Sequence, residues 1–407
     1  MKSYLVGGAV RDSLLGLEVK DRDWVVVGAK PADLENLGYR RVGKSFPVFL
    51  HPDNHEEYAL ARTERKTGPG YTGFSFDTDS SVSLEDDLRR RDLTINAIAQ
   101  DENGTLIDPY GGQQDLRAGI LRHVSDAFVE DPLRVLRTCR FAARFNFEIA
   151  PETLQLLRDI VASGELAALP SERVWLECHQ ALSQNYPQIF IRTMRECGAL
   201  KAVLPEVDRL FGIPQPPKHH PEIDTGEHIC LALEQTVQHN RNSAVRFAVL
   251  VHDVGKGLTP TEVLPKHIGH EQAGVPLVED ICQRLRVPKD YRELAVIVTK
   301  YHLKIHRARD LRPGNLLKLV EQLDALRRPE RLDDILAACH ADATGRTGLQ
   351  NRAYDQANYI RLAAHAAAKV SGKELKARLP ADKDFVVALR DARILALKEF
   401  VGSYTHS

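Results

Sequence analysis

No two cysteines of this chain stand in a C-x-x-C pair. The six (139, 178, 197, 230, 282 and 339) are scattered, which points to free, mostly buried thiols in a reducing compartment. Charge of one sign is also missing: the formal net charge is −1, so nucleic-acid binding has to come from local basic faces. No stretch approaches the roughly 18 apolar residues of a membrane span. The first apolar run breaks at Gly7-Gly8 and meets Arg11-Asp12, so it does not resemble a signal peptide. A cytoplasmic protein without a membrane anchor is expected. Internal repeats and low-complexity tails are absent as well.

What is present is ordinary globular composition at unusual length. With 407 residues, 43% hydrophobic and 27% charged, the chain exceeds one core and should form two to four domains. Residues up to about 120 mix short β-like runs with helices. These runs include Arg41-Val42-Gly43-Lys44, Pro47 through His51 and Glu57 through Ala61. Residues 63–83 are rich in Gly, Thr, Ser and Asp and read as a long loop of the kind that is functional or disordered. Beyond about Leu121, helical periodicity dominates. Gly212-Ile-Pro-Gln-Pro-Pro217 reads as a rigid linker.

Residues 1–27 carry the first chemistry. Ser3 through Val6 reads as a strand, Gly7-Gly8 as a turn, Ala9 through Leu15 as a helix, and Lys20 through Val27 as a second strand. On such a strand Asp21 and Asp23 share a face about 7 Å apart. Paired carboxylates repel unless a cation lies between them, and hard oxygen ligands with room for phosphates suit Mg²⁺. Gly8 at the mouth of a helix and Arg11 one turn in would meet a polyphosphate. An Asp-x-Asp pair alone is also a common solvated strand end. Its occurrence in one strand-turn-helix-strand unit favours a nucleotidyl-transfer site.

Further along, Arg89-Arg90-Arg91 can be a solvated helix end. Beside a metal site, Arg91 would neutralise triphosphate charge, while Asp92 and Asn96 would hold ribose hydroxyls. Glu130-Asp131-Pro132 opens a helix. At about 100° per residue, Arg134, Arg137, Arg140 and Arg144 fall within an arc of about 120°, opposite Val135, Leu136, Cys139, Ala142 and Ala143. One face should pack and the other should present cations to phosphates or bases. A carboxylate accepting from an exocyclic amine while a guanidinium donates to a ring nitrogen would select cytosine and adenine alike. Asp131 and Arg134 are suited to that task.

The second constellation is His252-Asp253 at the end of an apolar run, with His228 upstream and His270, His302, His306 and Asp342 downstream. Imidazoles with carboxylates suit a divalent transition metal that activates water, although 16 histidines guarantee some chance spacings. Gly255-Lys256-Gly257 is not a phosphate loop, since GxxxxGK[ST] is absent.

Taken together, Gly7-Gly8-Ala-Val-Arg11-Asp12, Asp21-Arg-Asp23, Arg90-Arg91-Asp92-Leu-Thr-Ile-Asn96-Ala97 and Glu130-Asp131-Pro-Leu-Arg134 resemble, in order and spacing, the motifs of class II tRNA nucleotidyltransferases, the CCA-adding enzymes. With the downstream HD domain, the arrangement is similar to the multifunctional CCA proteins of proteobacteria. The resemblance implies an α+β chain. Its parts would be a polymerase-β-like nucleotidyltransferase head with a mixed sheet (1–120), a helical neck and body (121–217), an HD phosphohydrolase domain (218–345) and a helical tail (346–407). It implies Asp21 and Asp23 as ligands of catalytic Mg²⁺. Gly8, Arg11, Arg91, Asp92, Arg137 and Arg140 then hold the nucleotide's phosphates and sugar, and Asp131 with Arg134 its base. Glu57 is the candidate third carboxylate. The polar segment at 63–83 would let the pocket switch from CTP to ATP, which favours complete CCA addition. In the HD domain, His228, His252, Asp253 and His302 would hold a divalent transition metal, with Ni²⁺ among the candidates, and His270, His306 and Asp342 would lie nearby. Phosphatase, 2′-nucleotidase and cyclic phosphodiesterase activities would follow. The implied partners are tRNA, CTP and ATP, recognised by shape and backbone, with His306 through Arg312 a candidate basic contact. The chain would act as a monomer or weak homo-oligomer. Two alternatives stay open at this point: a bacterial poly(A) polymerase, and an HD phosphohydrolase with an RNA-binding head.

Overall fold

A computed structural model describes residues 1–42, 48–66, 74–77, 81–239, 242–380 and 382–404. The chain separates into two compact units, 1–184 with 193–203, and 185–192 with 204–407.

The first unit is built on β1 (Lys2–Val6), α1 (Gly8–Leu14), β2 (Asp23–Val27), α2 (Pro31–Asn36), β3 (Arg40–Val42), β4 (Val48–Leu50) and β5 (Glu57–Leu60). After these come β6 (Thr63–Lys66), β7 (Phe74–Asp77), α3 (Leu84–Arg89), β8 (Ala99–Gln100) and β9 (Leu106–Ile107). Seven strands form one mixed sheet in the order β3-β4-β5-β2-β1-β8-β9, in which β2 runs parallel to β5 and antiparallel to β1. The run Trp24-Val-Val-Val27 suits a central strand buried on both faces. Val25 packs with Leu84 and Leu88 of α3 on one side, and Val26 with Leu34 of α2 and Phe49 on the other.

Two expectations change here. The ladder begins at Asp23, paired to Val6 and Glu57. Asp21 therefore lies ahead of the strand, where exposed Lys20, Asp21 and Arg22 have no ladder partner. The segment at 63–83 is not one long loop: β6 and β7 pair antiparallel from Thr63↔Asp77 to Lys66↔Phe74. Residues 67–73 and 78–80 lie outside the described residues, as do 43–47, which include the second half of the strand expected at 41–44.

Helices then take over: α4 (Gly112–Ala118), α5 (Leu133–Phe145), α6 (Pro151–Ala162) and α7 (Ser171–Leu182), with β10 (Ile120–Leu121) and β11 (Glu148–Ile149) forming a short parallel pair. Gly112 permits a close approach, because a Cβ there would sit 2.1 Å from the Thr94 carbonyl oxygen. α8 (Pro187–Glu196) is shared between the units, and α9 (Ala199–Val203) completes the first.

The second unit is entirely helical among the described residues. It holds α10 (Pro205–Asp208), α11 (Thr225–His239), α12 (Ser243–Val251), α13 (His270–Arg284), α14 (Lys289–His306), α15 (Pro313–Gln322), α16 (Pro329–Thr344), α17 (Asp355–Ala368), α18 (Gly372–Arg378) and α19 (Phe385–Tyr404). The segment read as a linker, 212–217, folds into this unit. Pro214 bridges to Asp224, and Gln215 is buried with its amide oxygen accepting from Lys256. No helix among the described residues is long and apolar enough to cross a membrane.

Candidate active sites

In the first unit, the end of β2 opens into a cavity of about 740 Å³ lined by Asp21, Asp23, Glu56, Glu57, Lys20 and His55. Asp23 and Glu57 are register partners on neighbouring parallel strands, so their side chains leave the sheet on one face. Glu56 leaves on the other, where its Oε2 accepts from Trp24 Nε1 at 2.6 Å. Crowding by the surrounding protein raises the Asp23 carboxyl above its usual range; Arg91 offsets part of this, and the charge of Asp21 adds to it. A pair whose second charge is resisted is a fitting ligand set for a divalent cation.

The cations stand on α1, just past the end of α3, and on α5. Gly7 has φ +67, and a Cβ there would lie 2.7 Å from Arg91 Nη1, so this glycine is what lets the Arg91 side chain lie over the turn. Among the described residues Arg91 makes only long contacts, 3.4 Å to Asp87 and 3.4 Å to the Asn96 carbonyl oxygen, and its buried Nε has no partner. Arg11 is buried, donates to Asp12 and Asn96, and lies 5.1 Å and 5.0 Å from the ring centroids of Phe141 and Phe145.

The arginine face of α5 is not the open cationic surface that the helical spacing suggests. Arg137 donates to Asp92 through Nε and Nη2 at 2.9 and 2.8 Å. Arg140 donates to Glu177 at 2.6 Å, and Arg144 to Asp12 at 2.7 Å. Arg134 donates to the carbonyl oxygens of Ala127 and Arg90 at 2.8 and 2.6 Å. Asp131 caps Leu133 through Oδ1 and accepts from Arg173 through Oδ2 at 2.9 Å. A continuous network therefore runs from Arg11 through Asn96, Asp92 and Arg137 to Glu177 and Arg140. It holds these cations in fixed positions, which is the condition for electrostatic preorganisation.

Burial alone would raise the Asp92 carboxyl, but Arg137, Asn96 and Arg134 outweigh it and hold it well below the usual range. A carboxyl depressed in the folded state adds stability that is complete above its unfolded value, about 3.9, and is lost as pH falls through the folded one. Both tryptophans, Trp24 and Trp175, lie in this unit, so tryptophan fluorescence reports its unfolding. Between about pH 4 and pH 2, the urea midpoint should fall more steeply for the natural chain than for Asp92→Asn. Parallel slopes would remove Asp92 as the source of that acid sensitivity.

The second unit gathers the histidines. His228 lies on α11, His252 and Asp253 follow α12, His270 opens α13, His302 and His306 lie on α14, and Asp342 lies on α16. All four ligands expected from the sequence meet here, joined by His270, His306 and Asp342. Nδ1 of His228, His252 and His270 faces the carbonyl oxygens of Gly345, Val249 and His267 at 3.0, 2.8 and 2.7 Å. His302 Nδ1 faces those of Val298 and Thr299 at 3.2 and 3.1 Å. A carbonyl oxygen only accepts, so each Nδ1 carries a proton and each Nε2 faces inward, that of His228 towards Asp342 Oδ1 at 3.0 Å. That is the usual outer-sphere support of a metal-ligating histidine. His252 Nε2 and Asp253 Oδ1 are buried with no hydrogen-bond partner among the described residues, so the donor set fits a cation. Burial pushes His302 well below the usual histidine range, and His252 adds to this.

Gly255 explains why glycine follows His-Asp: a Cβ there would lie 2.1 Å from the His270 carbonyl oxygen and 2.7 Å from Gly274 N. Lys256 is buried and donates to Asp253 Oδ2 and Gln215 Oε1, both at 2.6 Å. Beside this centre opens a cavity of about 520 Å³, lined by Lys256, His270, His306, Arg346 and Tyr354 among others. Arg307, Arg309 and Arg352 also line it, which makes it an anion-accepting mouth.

Comparison with known proteins gives the family and the fold. Residues 3–122 match the family model described as poly A polymerase head domain, 146–211 that described as probable RNA and SrmB-binding site of polymerase A, and 225–344 the HD domain. A multifunctional CCA protein of Nitrosococcus oceani is 57% identical over 98% of this chain and 99% of its own length. The chain belongs to the multifunctional CCA protein family. A second member, from Thioalkalivibrio sulfidiphilus, is 55% identical over 99% of this chain and all of its own. The fold is that of a solved Thermotoga maritima CCA-adding enzyme complexed with tRNA, at TM-score 0.63 and 18% identity, covering 99% of this chain and 91% of that one. A Bacillus stearothermophilus CCA-adding enzyme in complex with CTP gives TM-score 0.60 at 22% identity, covering 99% and 89%. The family makes this chain a nucleotidyltransferase with an appended HD domain.

Two residues of this CCA-family chain escaped the sequence reading. Glu177 is the buried counter-charge of Arg137 and Arg140, and Arg173 holds Asp131. Both lie on α7, four residues apart and so on one helix face. That pairing was a visible signal, but many solvated helices carry the same one.

Proposed function

We propose that the first unit adds and repairs the 3′-terminal CCA of tRNA from CTP and ATP without a template, by in-line attack of the tRNA 3′-hydroxyl on the α-phosphate. The supporting observation is the cavity that brings Asp21 and Asp23 together at the end of β2, beside the loosely held Arg91. Mg²⁺, when bound by these carboxylates, supplies activation of the hydroxyl and stabilisation of the leaving pyrophosphate. Glu57 is the third carboxylate in this reading. Gly8, Arg11, Arg91 and Asp92, with Arg137 and Arg140, position the triphosphate and ribose. Asp131 and Arg134 read the amine and ring nitrogen shared by cytosine and adenine, which requires the base to compete for Asp131 with Arg173. The RNA is recognised by backbone and shape, in the cytoplasm.

The second unit is read as a metal-dependent phosphohydrolase acting on 2′,3′-cyclic and 2′-phosphates, with Ni²⁺ one of the candidate ions. The support is the inward-turned Nε2 atoms beside a cationic cavity. The division at 120, 217 and 345 belongs to the same proposal, as does a monomer or weak homo-oligomer.

Extension of a radiolabelled tRNA lacking its 3′ end tests the first activity. With CTP and ATP together, addition should stop after three nucleotides. A long tail from ATP alone would mean a poly(A) polymerase. Arrest after two C residues would mean that a second enzyme completes the end.

A further inference from the structure

Resting on the reading of Arg91 as a phosphate ligand and Arg134 as a base reader, we infer that Asp87 is a positioning residue that couples those two tasks through Arg90. Neither Asp87 nor Arg90 touches the nucleotide in that reading. Both act on it through a neighbour.

Asp87 lies on α3 and is fully buried. A buried carboxylate is costly unless it is paired. Its Oδ1 accepts from Arg90 Nη2 at 2.7 Å and Nε at 3.2 Å, and from the Arg62 backbone N–H at 3.4 Å. Its Oδ2 faces Arg91 Nη2 at 3.4 Å. Burial alone would raise this carboxyl, but Arg90 and then Arg91 outweigh it and hold it below the usual range. Capping α3 is not its task, because Ser83 and Asp86 already form the capping box there.

One carboxylate thus serves two guanidiniums unequally. Arg90 and Arg91 stand three and four residues beyond Asp87, so both are reached from one helical turn. The contact with Arg90 is a short charge-assisted bond. That with Arg91 is longer than the usual N–H···O range of about 2.7–3.2 Å. Arg90 is therefore pinned, while Arg91 is kept within reach and remains able to turn onto a phosphate.

Arg90 passes its position on through the backbone. It is the C-cap of α3, and its carbonyl oxygen accepts from Arg134 Nη2 at 2.6 Å. Arg134 Nη1 donates to the Ala127 carbonyl oxygen at 2.8 Å. Two carbonyls thus set the plane of the base-reading guanidinium, and one belongs to the residue that Asp87 pins. Reading a base edge depends on that plane, since cytosine and uracil differ in which edge atoms donate and which accept. When a triphosphate draws Arg91 away, the charge of Asp87 is left to Arg90, which tightens the hold on Arg134. Phosphate binding then favours the base-reading arrangement, and by linkage the converse holds.

The test is steady-state extension, by the full chain, of a tRNA lacking its 3′ end, with CTP, ATP and UTP supplied singly. Asp87→Asn keeps the size and one acceptor but removes the charge. Arg90→Met keeps the aliphatic stem and leaves Asp87 to Arg91. In both, KM for CTP should rise at least about tenfold, the scale of one hydrogen bond to a charged group. The preference for CTP over UTP in kcat/KM should fall by a similar factor, while kcat at saturating CTP stays near the natural value. Arg90→Lys, which restores a donor and the charge, should recover part of both losses. Should Asp87→Asn fail to fold, the two Arg90 variants decide alone. Natural KM and preference with only a lower tryptophan-detected urea midpoint would make Asp87 a structural staple and overturn the inference. A raised KM with the preference intact overturns the coupling as well. Arg91→Ala and Arg134→Ala, run alongside, test the reading beneath it. If the first leaves KM and the second leaves the preference unchanged, the pocket assignment is wrong and the inference falls with it. If both respond and the Asp87 and Arg90 variants do not, the inference alone is lost.

Discussion

Replacing Asp23 with alanine or asparagine is expected to lower kcat for CTP incorporation by at least about 10³-fold, while leaving hydrolysis by the second unit unchanged. A metal acting as Lewis acid contributes several kcal/mol to a transition state, and each 1.36 kcal/mol is tenfold in rate. Asp23 is the carboxylate that the surrounding protein crowds, and the charge of Asp21 adds to the effect. Loss of Asp23 therefore removes the ligand fixed by the sheet register with Glu57. The folded state should hold or gain slightly, because a pair of repelling carboxylates has been relieved. The diagnostic pattern is a collapse of kcat with the tryptophan-detected urea midpoint retained. A variant that still extends tRNA at a tenth of the natural rate would sink the two-carboxylate assignment.

Glu177→Ala should be the most damaging substitution for folding in the first unit. Glu177 is 4% exposed, and its carboxylate faces Arg140 at 2.6 Å and Arg137 at 3.7 Å. Removing one partner of a buried ion pair costs about 3–5 kcal/mol, because the other charge stays behind. Here two guanidiniums remain, Arg140 nearly enclosed and Arg137 about one-third exposed. The loss should appear as a lower urea midpoint by tryptophan fluorescence, together with a higher KM for both nucleotides as the arginines reorient. Glu177→Gln keeps the shape and one acceptor, and should fall between. A shift within about 0.5 kcal/mol, the size of an ordinary surface change, would mean that water reaches these arginines and the network is dispensable.

The two sites were legible in the sequence to different depths, for physical reasons. Asp21 and Asp23 could be read because local alternation decides what a short strand presents, and the start of β2 falls three residues later than the alternation suggests because a ladder end is set by its pairing partners. The hairpin β6–β7 was hidden because Gly, Thr and Ser dominate its surroundings, although Phe74-Ser-Phe76 alternates. The arginine helix was placed correctly but its exposure was not. Helical spacing shows which residues share a face, and says nothing about what covers it. Its partners Asp12, Asp92 and Glu177 lie 132, 45 and 37 residues away. Likewise, His252-Asp253 was readable as a pair, whereas His270 and Asp342 join it only through the packing of α13 and α16. Gly212 through Pro217 looked like punctuation by composition, but Gln215 is held inside by Lys256.

The distance along the chain between the donors of the His-Asp centre also sets a timetable. His228 and Asp342 are 114 residues apart, a stretch that takes roughly 6 to 23 s to synthesise at 5–20 residues per second. During that interval His228, His252 and His270 have left the ribosome without the carboxylate of α16, and the first unit already has its whole sequence available to fold. Maturation of this chain is therefore ordered in time. The nucleotide pocket can assemble while translation continues, and the buried histidine cluster closes only after residue 342 has emerged. If this centre is the metal-dependent hydrolase proposed above, its ion would be taken up at a late step of biogenesis, and starvation for the ion should leave chains competent in the first activity and deficient in the second.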